Sequence, residues 1–353
     1  MSQFHVVELR GNSRERGEQY GRTLSKPIER AIEFYGSFFA KQLGLDRDEV
    51  RRRAAQFIDP TSRLSTELMA EYEGIAAGSR QTLEDIFAIS ARYEITFEDF
   101  ALGECSNVYV SAGRSATGHP VLGQSWDWRP EVMDFRAIIA ARCDDLPDHI
   151  MITECGQPGK YGFNEHGIGL VAAGLNCAEK TSVGDQLFVA LGRVALQEKT
   201  LLSACEVLEN FAPRATVNVL IAETSGAGVN FEYTPQAVAR RNLADDELYW
   251  HTNHCREVDE PSDFENSLVR GRRWVELTAI SETITPKTVQ KWLADRHSST
   301  HAICQRVDLT QPDSPTRIQT LASIVLDLGS RTMWASDGPA SEAPYQSFRL
   351  SGD

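Results

Sequence analysis

The sequence predicts an α+β fold in which two antiparallel sheets pack face to face between outer helices, a four-layer αββα sandwich. Three observations carry this. The first hundred residues show apolar stripes at helical spacing. From Ser106 onward, short apolar segments recur between turn signals, the pattern of hairpin-linked and therefore antiparallel strands. Two pairs of helical segments interrupt those strands. No internal repeat or low-complexity linker divides the chain, so a single domain over residues 1–353 is expected.

The elements follow in order. Pro27 suits the first turn of a helix, and Ile28, Ile32, Tyr35, Phe39 and Leu43 form one apolar stripe behind it. Asp46-Arg47-Asp48-Glu49 resembles a capping box and opens a second helix through Val50 and Phe57. Leu64, Leu68, Tyr72, Ile75 and Ala76 make a third stripe, and Thr82 caps a fourth through Ile86, Ile89 and Tyr93. Strands are expected at 106–112, 121–126, 136–142, 149–154, 160–163 and 167–173. Gly118-His119-Pro120 and Asn164-Glu165-His166 are the turn signals among them. Helices at 186–197 and 201–211 precede strands at 216–222, 228–233 and 248–252. Helices at 264–281 and 286–297 precede strands at 318–328, 332–335 and 345–350.

Composition narrows the function. At 353 residues the chain can bury a large core without disulfides or a metal. The net charge of −14 opposes nonspecific binding to nucleic acid or anionic membranes, so neither is an expected partner. No apolar run approaches the roughly 20 residues of a membrane span, and the first residues lack the pattern of a signal peptide. The 7 cysteines include no C-x-x-C pair, which fits a reducing cytoplasm and argues against a four-cysteine zinc site. A homo-oligomer is compatible with all of this.

The chemistry centres on Gly103-Glu104-Cys105-Ser106-Asn107, at the junction of helical and strand-rich regions. A cysteine at the head of a strand is most often a small core residue. A nucleophilic Cys105 needs a base, and no histidine is near it in sequence. An α-amino group, with a pKa of about 7.7–8.0, is a candidate. Cleavage between Glu104 and Cys105 puts thiol and amine on one residue, the arrangement of an N-terminal nucleophile. A hairpin with its loop at 115–118 pairs Cys105 with Trp128 and sets Asp127 one residue away. The bland reading of Asp127 is a strand-end residue bonded to a turn.

These residues and His251-Thr252-Asn253-His254-Cys255 together resemble the isopenicillin N acyltransferase family of self-cleaving N-terminal-nucleophile hydrolases. The resemblance includes Gly123-Gln124-Ser125-Trp126-Asp127-Trp128, and the opening Glu8-Leu9-Arg10-Gly11-Asn12-Ser13 with Arg16-Gly17-Glu18-Gln19-Tyr20-Gly21. It implies the αββα fold and self-cleavage into segments 1–104 and 105–353. It implies Cys105 as nucleophile, Asn253 as oxyanion-stabilising amide, Asp127 as an acidic site residue and Arg317 as a basic one. The Arg317 match runs through Thr316-Arg317-Ile318-Gln319-Thr320-Leu321. Glu104 stands where the family's fungal member has glycine, Ser125 where it has asparagine and Thr316 where it has serine.

The expected function is cleavage of the amide of a small N-acyl compound through a thioester, with the two fragments of the chain as each other's partners. Hydrolysis is favoured over transfer, because water is the default acceptor. No cofactor is expected. His251, His254 and Cys255 form an H-x-x-H-C cluster that suggests zinc, but His251 and Cys255 share one strand face while His254 points to the other. The rival readings are a papain-like thiol hydrolase without self-cleavage and a noncatalytic binding module.

Overall fold

The computed structural model describes residues 4–96, 105–177, 184–235, 237–280, 283–298, 301–307 and 317–350. The expected cleavage point at Glu104, and Thr316 of the Arg317 motif, lie outside the described residues. The elements begin with β1 (His5–Gly11), α1 (Ser13–Thr23), α2 (Ser25–Leu43), α3 (Arg47–Ala55), α4 (Ile58–Leu64), α5 (Thr66–Ser79), α6 (Leu83–Ser90) and α7 (Arg92–Thr96). Next come β2 (Ser106–Val110), β3 (Val121–Trp128), β4 (Arg136–Cys143), β5 (His149–Glu154), β6 (Tyr161–Asn164) and β7 (Ile168–Gly174). The helices α8 (Phe188–Ala195) and α9 (Leu201–Asn210) lead to β8 (Val217–Glu223), β9 (Gly228–Tyr233), β10 (Val238–Leu243) and β11 (Leu248–His251). The chain closes with α10 (Glu265–Thr278), α11 (Pro286–Leu293), β12 (Gln319–Asp327), β13 (Thr332–Ser336) and β14 (Tyr345–Arg349). The result is the expected α+β fold, with helices and two β-sheets.

Two compact units interleave along the chain. One comprises Met1–Ala101, Asp134–Asn164 and Lys180–Ala215; the other comprises Leu102–Met133, Glu165–Glu179 and Thr216–Asp353. The first layers its helices on β1, β4, β5 and β6. Here the reading of residues 1–100 as wholly helical is corrected. His5–Gly11 is a strand that buries Val7 and Leu9 alternately and pairs in parallel with β4, placing Val7 beside Ile139. Its partner lies about 130 positions along the chain, so no local pattern announces the pairing.

The helical starts follow from their caps. Asn12 and Glu15 form a reciprocal capping box on α1, while Asp46, Ser65 and Thr82 each accept the N–H three residues on. The helix α1 then meets α5 at backbone distance. A Cβ on Gly17 would sit 2.2 Å from the Glu71 carbonyl oxygen, and one on Gly74 would sit 2.5 Å from that of Arg14. Glycine is the residue that permits this approach. A carboxylate is buried in the same unit: Arg92 Nε donates to both oxygens of Glu154 at 2.9 Å, with Lys160 at 3.5 Å and Tyr35 also bonded. Burial alone would raise Glu154, but the Arg92 and Lys160 charges hold it below the ordinary carboxylate range.

The second unit stacks two antiparallel sheets. In one, β7, β8, β9 and β10 are neighbours in that order, and the other runs β11-β2-β3-β12-β13-β14. Asn107 Nδ2 donates to Asn218 Oδ1 at 3.1 Å and Gln124 Nε2 to the Ala172 carbonyl at 2.6 Å, bonding the facing layers. The opposite face of the six-stranded sheet carries Val108, Val110, Val121 and Val325 against Trp274 of α10 and Val289, Trp292 and Leu293 of α11. The sequence reading lacked β10, the last strand of its sheet, which exposes Val238, Arg240 and Asn242. Among the described residues no helix is long and apolar enough to cross a membrane.

A sign test checks the close helix pair. Gly→Ala in an exposed helix stabilises by about 1 kcal/mol. Gly74→Ala should instead destabilise by about 1–3 kcal/mol, the range for overpacking. The measurement is the urea midpoint, and a variant more stable than wild type would contradict the packing described.

Candidate functional site

Cys105 immediately precedes β2 and is 6% exposed. The hairpin register differs from expectation. Ser106 pairs with Ser125, which sets Cys105 level with Trp126 and not Trp128. The strands end at Val110 and Val121, and the longer connection folds on itself and bonds Ser115 and Ala116 to Ile284. The displacement leaves the expected neighbourhood in place: the Cys105 sulfur lies 3.9 Å from the Asp127 carbonyl oxygen.

Asp127 is 2% exposed and its carboxylate is built into the sheet. Its Oδ1 accepts from Ser125 Oγ and Thr320 Oγ1, both at 2.6 Å. Ser125 is two residues back on the same strand face, and Thr320 is directly opposite on β12. A bulge between Thr320 and Ala322 resets the β12 register at this point. The local sequence signal was therefore the same-face pair Ser125 and Asp127.

Asn253 follows β11 and is fully buried. Its backbone N–H donates to Ser267 Oγ at 2.7 Å, and its carbonyl accepts from the Asn176 N–H at 2.8 Å. In the side chain, Oδ1 accepts from Arg270 at 2.7 Å and Nδ2 donates to the Gly174 carbonyl at 2.8 Å. A guanidinium only donates and a carbonyl only accepts, so the two partners together fix which way the amide faces. One N–H of Nδ2 is thereby used, and an amide has a second.

Arg270 was not singled out in the sequence, yet it ties these residues together. It projects from α10, fully buried, with Nη1 donating to the Cys105 carbonyl at 2.7 Å and to Ser106 Oγ at 3.0 Å. Its Nη2 holds Asn253, and Nε is steadied by Asn266 Oδ1, one turn back, at 2.7 Å. In the sequence Arg270 heads Arg270-Gly271-Arg272-Arg273, which looks like a solvated basic face. The available signal was helical phase: Ser267, Arg270 and Trp274 share the buried side.

The loop bearing Asn253 is held on both flanks. His251 Nε2 lies 2.7 Å from Glu232 Oε1, and Nδ1 lies 2.7 Å from the Thr252 carbonyl. Glu232 also accepts the backbone N–H groups of Arg256, Glu257 and Val258. Burial opposes ionisation of Glu232, but His251 and these donors hold its carboxyl below the usual range. His254 Nδ1 lies 2.8 Å from Ser267 Oγ and 3.0 Å from Thr252 Oγ1, and burial lowers its pKa to about 4. The H-x-x-H-C residues thus turn to different partners. Cys255 faces Cys177, with 3.8 Å between sulfurs.

The geometry joins Cys105 to Asp127 through the hairpin and Cys105 to Asn253 through Arg270. Arg317 forms an ion pair with Glu131 and is partly exposed. It lies three residues before Thr320, the donor to Asp127.

The family model described as acyl-coenzyme A:6-aminopenicillanic acid acyl-transferase matches residues 114–340. That stretch contains Asp127, Asn253, Arg270 and Arg317, while Cys105 lies just ahead of it. The acyl-coenzyme A:6-aminopenicillanic-acid-acyltransferase 40 kDa form of Emericella nidulans is 23% identical over 257 residues, 72% of this chain and 71% of that one. Among solved structures, penicillin V acylase from Agrobacterium tumefaciens aligns at 14% identity and a TM-score of 0.44, covering 70% of this chain and 86% of that one. Conjugated bile acid hydrolase from Clostridium perfringens aligns at 10% identity and a TM-score of 0.40, covering 70% and 97%. The family match spans well over half of the sequence, and the chain belongs to the acyl-coenzyme A:6-aminopenicillanic acid acyl-transferase family, a family of acyl-processing enzymes.

Proposed function

We propose that this chain is a self-processing amidohydrolase or acyltransferase that uses Cys105 as an N-terminal nucleophile. The observation that carries the reading is the Arg270 bridge, one buried guanidinium bonded to both the Cys105 carbonyl and the Asn253 amide. It holds the nucleophile's backbone and the candidate oxyanion donor in one frame. Family membership supports acyl chemistry.

In maturation the Cys105 thiol attacks the Glu104 carbonyl. The peptide C–N bond breaks, the amine takes a proton, and water opens the resulting thioester to leave a Glu104 carboxylate. The chain then consists of segments 1–104 and 105–353, which stay together as one domain. In turnover the new α-amine takes the thiol proton and the thiolate attacks the carbonyl of a small N-acyl amine. The second N–H of Asn253 stabilises the tetrahedral oxyanion. The amine leaves with the proton, and water resolves the thioester; a second amine in its place gives acyl transfer. Asp127 orients the donors around the new terminus, and Arg317, ion-paired with Glu131, is the candidate cation that offsets its charge. No step calls on a cofactor. The absence of C-x-x-C pairs supports a reducing, cytoplasmic setting.

Intact mass of matured protein should give two fragments, the larger beginning Cys-Ser-Asn by Edman sequencing. A single active chain would instead favour a papain-like thiol enzyme, and a single inactive one a binding module.

Asn253→Ala should lower kcat by roughly 10²–10³-fold with little change in KM. Arg270→Lys keeps the charge but loses the fork, and should also lower kcat. Because the two act as a unit, the double variant should cost less than the product of the single effects. Independent effects, or a change confined to KM, would assign them to binding or packing.

Asp127→Asn should fold normally by circular dichroism but mature slowly. In the matured fraction, loss of the carboxylate disfavours the protonated amine and lowers its pKa. The acidic limb of the kcat/KM profile should therefore move to lower pH. Normal maturation with an unmoved limb would make Asp127 a structural residue.

A further inference from the structure

Outside the candidate site, the chain gathers two thiols and a carboxylate on the far side of the Asn253 loop. The sulfurs of Cys177 and Cys255 and a carboxylate oxygen of Glu260 all lie within 4.8 Å of one another. We propose that these three residues form a binding site for a zinc-class divalent cation, with a fourth position left to water. The proposal is independent of the catalytic reading.

The spacing is the first reason. The two sulfurs are 3.8 Å apart. Two thiolates on a tetrahedral centre with bonds of about 2.3 Å stand about 3.8 Å from each other. A disulfide needs about 2.0 Å, so the arrangement suits a shared cation without movement. Two sulfurs and one oxygen are a donor set for a borderline-soft metal, and three protein ligands leave one position open.

Access and rigidity agree with this. Cys177 is buried, whereas Cys255 and Glu260 are half-buried, which leaves a path for the ion. The segments carrying the ligands are fixed from outside. Asn176, beside Cys177, donates its N–H to the Asn253 carbonyl, two residues before Cys255. Beyond Cys255, three successive N–H groups end on Glu232, and the Glu260 N–H donates to the Val258 carbonyl at 2.9 Å. Such surrounding bonds orient ligands and tune affinity.

The charge is also suitable, because the Glu260 carboxylate lies within 4.8 Å of both sulfurs. A divalent cation would displace the two thiol protons to water and bind two thiolates and the Glu260 carboxylate, leaving a site of net charge −1. Of the H-x-x-H-C residues, only Cys255 takes part, because His251 is bonded to Glu232 and His254 to Ser267.

The test uses reduced, chelator-treated full-length protein titrated with Co²⁺. A sulfur-to-cobalt charge-transfer band should appear in the near ultraviolet, saturate at a single equivalent and disappear on adding Zn²⁺. Thermal unfolding should move to higher temperature with Zn²⁺. Cys255→Ser should lose the band, and Glu260→Gln should keep it with affinity lowered at least about tenfold. Far-ultraviolet circular dichroism confirms that each variant is folded. Absence of the band in wild type, or an equal band in Cys255→Ser, overturns the site. If Cys255→Ser does not fold, Glu260→Gln decides: unchanged cobalt affinity there rules out the three-ligand assignment.

Discussion

The arrangement around Cys105 depends on one buried cation. Arg270 has no exposure and spends its donors on the Cys105 carbonyl, Ser106, Asn253 and Asn266. Removing a guanidinium from water costs several kcal/mol unless its N–H groups are satisfied. The surroundings must therefore present acceptors at fixed places. That demand orders two segments at once: the start of β2, whose carbonyl it takes, and the Asn253 loop, whose amide it orients. The fork geometry of arginine makes both contacts from one rigid plane, which lysine cannot reproduce.

The loop meets that demand because it is held from elsewhere as well. Glu232 collects His251 before Asn253 and three backbone N–H groups after it. Ser267 takes the Asn253 N–H, and Asn176 donates to its carbonyl. Both backbone hydrogen-bonding groups of Asn253 are thus satisfied without water, as burial requires. The side chain is left with a defined direction. Preorganisation of this kind is what gives an oxyanion donor its value, since no reorganisation is needed when charge develops.

Much of this fold was legible in the sequence, and the exceptions share a cause. Stripes such as Ile28, Tyr35 and Phe39 repeat within one helix, and caps such as Asp46 and Thr82 act three residues away. Local patterns report local structure. The strand β1 was missed because its partner is β4, far along the chain, and β10 because its exposed positions carry no apolar alternation. The register of the β2–β3 hairpin slipped by two residues because a ten-residue connection does not encode one loop geometry. In the site, Cys105, Asp127 and Asn253 sit in short motifs and could be named. Arg270 could not, because its partner Cys105 lies 165 positions away and its own neighbours look like a solvated face.

Arg270 and Asp127 also bear on the question of the base. An α-amine works as a base only when neutral, and a pKa of about 7.7–8.0 leaves it mostly protonated at neutral pH. The Arg270 guanidinium, bonded to the carbonyl of the same residue, disfavours a second positive charge beside it and favours a thiolate. The Asp127 carboxylate acts in the opposite sense. Its Oδ1 is already occupied by the Ser125 and Thr320 hydroxyls, and those two donors stabilise its negative charge and weaken its pull on an ammonium. The cation and the hydroxyl-bound carboxylate together shift the balance toward a neutral amine. Glycine or alanine at position 125 would remove one of those hydroxyl donors, and so would strengthen the pull of Asp127 on the ammonium. On this argument Ser125, one of three positions that depart from the fungal pattern, would help to set the proposed base.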